Sequence, residues 1–337
     1  MGLLTLISGF MIRYPAPNPP TTSNLQAHVQ MDIESRQQIP SDIPEEIRDK
    51  YLFKSKLGSG SFSDAWEVEE ISTMSRYCMK ILSLKNCASH SDIISEFKYM
   101  QEISSKSPHV VKAYEYSVLD GKVFVLMELC PGGTLSEWID LNRRFRLISE
   151  KRILHKLREI SLAVIKCHEC HIIHRDLKPD NIFLDNTRQI KLGDFGIARH
   201  LESSLSQTFC GTPPYMAPEL YLLYQQKLKQ KPIEGYGFQV DIWSLGCVLL
   251  EMSCEEGKSL STMDKSLGSV ALDNVMELNN IIDNCVPPDY TTVKRLLTRM
   301  LVPNPEDRIS LQDIVIDGEL LEKTSTAPHI KWYHLIS

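Results

Sequence analysis

Apolar and polar positions first fall into a regular pattern at Tyr51. Upstream, residues 1–45 carry Pro15, Pro17, Pro19, Pro20, Pro40 and Pro44 among Ser, Thr, Asn and Gln. Repeated prolines remove backbone donors and block helix, so this stretch reads as a mostly unstructured leader. The acidic run Glu45-Glu46-Ile47-Arg48-Asp49 closes it. From Tyr51 to Leu84 the text is strand-like: Tyr51-Leu52-Phe53, a glycine turn at 58–60, Ala65-Trp66-Glu67-Val68 and Tyr77-Cys78-Met79-Lys80-Ile81. Residues 92–105 place Ile93, Ile94, Phe97, Met100 and Ile103 on one helical face. Two more strands are predicted around Val110–Tyr116 and Val123–Glu128. One helix among antiparallel strands describes a small first lobe.

Past Pro131-Gly132-Gly133 the pattern turns helical. Ser149 to Cys170 is a long amphipathic stretch with Ser149 as the predicted N-cap, and helical patterns recur at 241–253 and 292–301. The expectation is an α+β chain in two lobes, 51–129 and 130–320, with a leader over 1–50 and a tail over 321–337. Between Glu219 and Asp241, Gln225, Gln226, Lys227, Lys229, Gln230 and Lys231 read as solvated surface. Partners could dock at 221–236 or at 1–45, and neither stretch has a motif that names one.

Composition changes this picture little. The 337 residues are 42% hydrophobic and 24% charged, ordinary for a globular protein. A net charge of -6 argues against a chain-wide footprint for nucleic acid, and no nucleic-acid partner is expected. Nine scattered cysteines fit a reducing compartment, so the expected location is intracellular, in cytoplasm, nucleus or both. The apolar run Gly2 to Ile12 is too short to span a bilayer and lacks a charged segment in front. Gly2 raises N-myristoylation, but Leu6 stands where that pattern wants Ser or Thr. Membrane attachment therefore stays a second reading behind a partner-binding N-terminus. Cys167-His168-Glu169-Cys170-His171 invites a metal reading, yet a second ligand pair at defined spacing is missing. A helix end running into a functional loop is the favoured alternative.

Three strings carry chemistry. Leu57-Gly58-Ser59-Gly60-Ser61-Phe62-Ser63 is a glycine-rich turn between strands, where backbone can approach phosphate oxygens without a Cβ clash. Lys80 ends the next strand, and Glu96 lies on the one helix of the first lobe, with Glu102 as the fallback partner. His174-Arg175-Asp176-Leu177-Lys178-Pro179-Asp180-Asn181 then precedes Asp194-Phe195-Gly196, followed by Ala217-Pro218-Glu219 and Asp241-Ile242-Trp243-Ser244-Leu245-Gly246.

In this order the strings resemble the signature set of the eukaryotic protein kinase family over Tyr51 to Leu320, and Asp-Leu-Lys-Pro is the Ser/Thr form. Gln207 to Pro213 resembles NIMA-related kinases, whereas Arg48-Asp49-Lys50-Tyr51 is similar to checkpoint and calmodulin-dependent types. The resemblance implies a bilobal α+β fold, ATP and Mg²⁺ as cofactors, and protein substrates with Ser or Thr acceptors. It implies nucleotide contacts from Leu57, Gly58, Ser59, Gly60, Ser61, Phe62, Ser63, Asp64, Ala65, Cys78, Lys80, Glu128 and Cys130. Lys80 would face the α- and β-phosphates and pair with Glu96; Asn181 and Asp194 would hold metal. Asp176 would orient or deprotonate the acceptor hydroxyl, and Lys178 would neutralise charge on the transferring group. Asp241 would anchor the catalytic loop and Arg308 would pair with Glu219. Thr212 would contact Lys178 and Asp176. Arg175 would pair with a phosphate on the activation segment, for which Thr208 is the best-placed acceptor ahead of Ser203, Ser204 and Ser206.

Departures from the family pattern matter as well. Ser63 replaces the third glycine. Ala65 stands where a valine usually covers adenine and Cys78 where an alanine does, which implies an altered roof and weaker ATP binding. Pro214 replaces a frequent aromatic, and Thr134 replaces an acid found in many basophilic kinases. Two rival readings remain: a pseudokinase scaffold that binds nucleotide with little catalysis, and phosphorylation of a small molecule.

Overall fold

The computed structural model describes residues 42–59, 63–84, 90–145, 148–195, 199–200, 212–228, 237–255, 260 and 266–324. The first lobe opens with helix α1 (Glu45–Lys50) and strands β1 (Tyr51–Ser59), β2 (Ser63–Glu70) and β3 (Arg76–Ser83). Helix α2 (His90–Ser104) and strands β4 (Ala113–Leu119) and β5 (Lys122–Glu128) follow. The strands form one antiparallel sheet in the order β1-β2-β3-β5-β4.

Alternation divides the sheet into two faces. Trp66, Val68, Met79, Ile81, Phe124 and Leu126 are buried on one face, together with Phe53 and Tyr51. Leu82, Val123 and Val125 point the other way and pack with Phe97, Met100 and Ile103 of α2. Ala65, Lys80 and Val125 stand in register across three strands, so Ala65 and Lys80 share the face turned toward the second lobe.

The second lobe runs through α3 (Leu135–Arg144), α4 (Glu150–Glu169) and the short strands β6 (Ile172–Ile173), β7 (Ile182–Leu184), β8 (Ile190–Leu192) and β9 (Arg199–His200). It continues through α5 (Pro218–Leu228), α6 (Gln239–Ser253), α7 (Leu267–Asp273), α8 (Val275–Cys285), α9 (Thr291–Met300), α10 (Leu311–Val315) and α11 (Gly318–Thr324). Helices α4 and α6 form its centre: Ile153, Leu154, Leu157 and Ile160 of α4 are buried, and so is every residue of α6 from Val240 to Ser253. A helix apolar all round must be enclosed on every side, which makes α6 the post for the surrounding loops.

Three sequence expectations are revised. The leader is ordered at its end: α1 and Ile43 seal the outer sheet face, with Ile43 and Ile47 buried and Lys50 bonded to Glu115 at 2.7 Å. The unit also runs past residue 320, since Lys323 of α11 reaches Glu150 and Thr292. The strand expected from Val110 begins at Ala113 instead. Val111 donates to Leu192 O at 2.9 Å and Leu192 donates to His109 O at 2.7 Å, so this segment ties the first lobe to β8. Ser149 is the N-cap of α4, as the sequence predicts, though without a side-chain cap bond. Glu150 instead accepts from the Thr292 and Val293 amides of α9 at 2.8 and 3.1 Å.

Among the described residues no helix is long and apolar enough to cross a membrane. None of their His, Cys, Asp and Glu side chains form a group of three or more that could hold a metal ion.

Candidate active site

The cleft between the lobes collects the residues that the sequence singles out. Lys80 Nζ lies 2.8 Å from Glu96 Oε1 on α2 and 3.1 Å from Asp194 Oδ1 after β8. The fallback Glu102 pairs instead with Lys106. Burial alone would lower the Lys80 pKa, but Asp194 and then Glu96 overcome it, and the net direction is upward. The same Lys80 charge holds the Asp194 carboxyl below its ordinary range against its own desolvation. Both groups are therefore ionised at neutral pH.

A second constellation centres on Asp176. Lys178 Nζ lies 2.8 Å from Asp176 Oδ2 and 2.8 Å from Thr212 Oγ1. Thr212 in turn donates to Asp176 Oδ1 at 2.8 Å. Asn181 closes the set, with Nδ2 donating to Asp176 O and Oδ2, both at 2.9 Å. Backbone shape makes this possible. Arg175 at φ 70° and Asp194 at φ 57° both lie in the left-handed region, at a cost of about 1–2 kcal/mol each. Such conformations persist only where surrounding contacts enforce them. Asp241 supplies two, its Oδ1 accepting from Arg175 N at 2.8 Å and its Oδ2 from His174 N at 2.9 Å. His174 Nε2 lies 3.1 Å from Gly193 O, and its ring stands 4.9 Å from that of buried Phe195. The catalytic loop and the Asp194 segment are thereby fixed to each other. Farther down, Arg308 grips Glu219 with both nitrogens at 2.6 and 2.7 Å.

The nucleotide side is partly described. Gly60, Ser61, Phe62 and Gly196 lie outside the described residues, as do Thr208, Ser203, Ser204 and Ser206. No atom lies within 4 Å of where a Cβ would stand at Gly58, so that backbone is unobstructed. Leu57 is exposed, and Ser63 opens β2 opposite Leu82. Asp64 pairs across the hairpin with Lys56 at 2.9 Å. Ala65 faces Lys80 and Cys78 faces Met127 in the register. Burial raises the thiol pKa of Cys78 to about 11 and of Cys130 to about 12, so both stay neutral. Glu128 binds Lys191 at 2.7 Å and accepts from the Lys112 amide at 3.2 Å. Its side chain is thus engaged, and its own amide donates to Lys112 O at 2.8 Å. The arrangement fits a nucleotide and its metal: Asp194 is half-exposed and, with the Asn181 amide oxygen, offers the hard oxygen donors that Mg²⁺ takes.

Three further contributors take their places only in the fold. Phe183 of β7 lines this region, since a Cβ on Gly193 would meet its ring at 2.9 Å. Lys191 immobilises the Glu128 side chain. His168, read as a possible metal ligand, lies 2.8 Å from Asp241.

The sequence pattern of the protein kinase domain family matches residues 51–317. Among curated proteins, serine/threonine-protein kinase Nek4 of Mus musculus is 31% identical over 272 residues, covering 79% of this chain and 32% of Nek4. Serine/threonine-protein kinase cds1 of Schizosaccharomyces pombe is 31% identical over 272 residues, covering 75% of this chain and 55% of cds1. Serine/threonine-protein kinase polo of Drosophila melanogaster is 33% identical over 220 residues, covering 62% of this chain and 35% of polo. The chain spans about a third of the length of Nek4 and polo and about half of cds1. With the match running over most of the chain and the site residues assembled in one cleft, the chain belongs to the protein kinase family.

Proposed function

We propose that this protein transfers the γ-phosphoryl of Mg-ATP to Ser and Thr hydroxyls of proteins. The observation that carries the reading is the closed triangle of Asp176, Lys178 and Thr212, all at 2.8 Å. Phosphoryl transfer asks the protein mainly to position groups and balance charge. Asp176 offers Oδ1 or Oδ2 to an incoming hydroxyl and can take its proton. Lys178, already beside it, balances negative charge on the transferring group. Lys80, oriented by Glu96, would face the nucleotide phosphates, while Asn181 and Asp194 would hold Mg²⁺. When bound, Mg²⁺ would supply positive charge to offset that developing on the phosphates.

Contacts to ATP would come from the 57–65 hairpin, Cys78, Glu128 and Cys130, under a roof altered at Ala65 and Cys78. Activation would follow phosphorylation of Thr208, with Arg175 receiving the phosphate. Thr208→Ala should then strongly lower activity, and phosphatase should inactivate the wild type alone. Unchanged activity in both experiments would end that part of the proposal. The Ala217-Pro218-Glu219 segment and Thr212 favour a protein acceptor over a small molecule. An intracellular location, cytoplasmic or nuclear, accords with the cysteine usage.

A pseudokinase scaffold is the second reading, favoured by Ala65 and Cys78 alone. Nucleotide binding with Mg²⁺ and no transfer, measured beside an Asp194→Asn control, would select it.

A further inference from the structure

Outside the Asp176 constellation, the ends of two helices in the second lobe bring two cysteines together. Cys254 is the C-cap of α6, and Cys285 is the last residue of α8. Glu255 N donates to Cys285 O at 3.4 Å, so the chain leaving α6 runs beside the end of α8. The two thiols are hydrogen-bonded to each other, and neither cysteine is in a disulfide. Two cysteines can be bridged only where their backbones already lie close, and here a backbone hydrogen bond joins their segments.

Both residues are buried, at 3% and 5% exposure. A cavity of about 410 Å³ nevertheless opens beside them, lined by Arg143, Ile148, Met252, Cys254, Pro287 and Tyr290. It gives a small solute a route to the pair. Arg143 Nε donates to Cys254 O at 3.2 Å and its Nη2 to Glu251 O at 2.7 Å, which fixes the wall that carries Cys254.

The pair is not symmetric. The hydrogen bond to Cys285, and then burial, push the Cys254 thiol well above its usual value. Cys254 is therefore the sulfur that keeps its proton and donates it. A donated S–H stabilises negative charge on the accepting sulfur, which favours Cys285 as the attacking member.

We propose that Cys254 and Cys285 form a redox-modification site: hydrogen peroxide converts the pair to a disulfide joining α6 to α8, with Cys285 attacking first and Cys254 resolving. The Cys285 sulfur gives up its proton and attacks one peroxide oxygen. The O–O bond breaks, the leaving hydroxide takes that proton as water, and Cys285 is left as a sulfenic acid. The Cys254 sulfur then attacks the Cys285 sulfur and the S–O bond breaks. The departing hydroxide takes the Cys254 proton as a second water. Two thiols thus lose two electrons and two protons, and one peroxide becomes two waters. Small thiols reverse the bond by exchange, becoming a disulfide themselves.

The test uses the reduced full chain, freed of reductant and titrated with hydrogen peroxide. The protein is then alkylated and mapped by mass spectrometry without reduction. The wild type should lose two alkylatable thiols together and yield a linked Cys254–Cys285 peptide pair that dithiothreitol separates. Cys254→Ala cannot close the bond and should leave Cys285 as a sulfenic acid, trapped by dimedone. Cys285→Ala should leave Cys254 unlabelled at the same dose. If an alanine variant does not fold, the wild-type map decides. Absence of the linked pair at a dose that oxidises any other thiol of the chain would overturn the proposal. Equal dimedone labelling in the two variants would also overturn it, because the pair would then have no attacking member. No transfer activity enters these readouts, so failure of the kinase reading leaves the test intact.

Discussion

Lys80 and Glu96 meet at 2.8 Å across the gap between β3 and α2, and the same ammonium reaches Asp194 at 3.1 Å. One cation therefore joins the sheet, helix α2 of the first lobe and the segment that follows β8. Lys80→Met should leave two facing carboxylates without their cation and lower kcat/KM by about 100-fold or more. Glu96→Gln should do less damage, since Asp194 still holds Lys80. Steady-state kinetics on the two variants check the order.

Thr212 donates to Asp176 and accepts from Lys178. Thr212→Ala should lower kcat by about 10- to 100-fold, because both charged groups lose their spacer. Thr212→Ser keeps the hydroxyl and should retain most activity. Equal loss in the two variants would remove the hydroxyl from the account.

Arg308 is fully buried beside Glu219, with its guanidinium 5.2 Å from the Trp243 ring. Arg308→Ala leaves that glutamate facing the protein interior and should cost about 3–5 kcal/mol of stability. Urea unfolding measures it directly. The exposed pair Lys106–Glu102, broken by Lys106→Ala, should cost no more than about 1 kcal/mol.

Acid stability should depend on Asp241 and Asp194. Both carboxyls lie below the ordinary aspartate value of 3.8 in the folded protein. A group with a lowered folded pKa binds more protons when unfolded, so its stabilisation is full above about pH 4–5 and fades below. Lys80, raised in the folded state, contributes fully below its ordinary 10.5 and fades only as pH climbs through its higher folded value. These groups therefore leave stability flat between about pH 5 and 9. Asp241→Asn should be less stable at neutral pH and should show a shallower fall below pH 5, read by unfolding at a series of pH values.

Much of the site was legible because its residues are close in sequence. The run from His174 to Asn181 needs only one loop to bring Asp176, Lys178 and Asn181 together. Glu96 was legible because it lies on the one helix that periodicity predicts in the first lobe, at a fitting distance from the segment at 108–111. Other features depend on contacts between distant elements. Helix α1 shows almost no periodicity, since only Ile47 of its six residues is buried, and its role appears once the outer sheet face exists to receive it. Val110 and Val111 look like strand residues, yet they pair with β8 instead of within the sheet. His168 resembled a metal ligand among cysteines because nothing in its neighbourhood announces Asp241, 73 positions away. Cys167 beside it is buried, with its thiol 3.4 Å from Ala163 O one turn back in the same helix.

The most direct test of the central claim is transfer of radiolabelled γ-phosphate from Mg-ATP to a peptide array by the purified full chain. The account predicts label on Ser and Thr peptides that requires Mg²⁺ and disappears in Asp176→Asn and in Asp194→Asn. Mg-ATP binding by the folded wild type, with no more label than the Asp176→Asn variant, would contradict it.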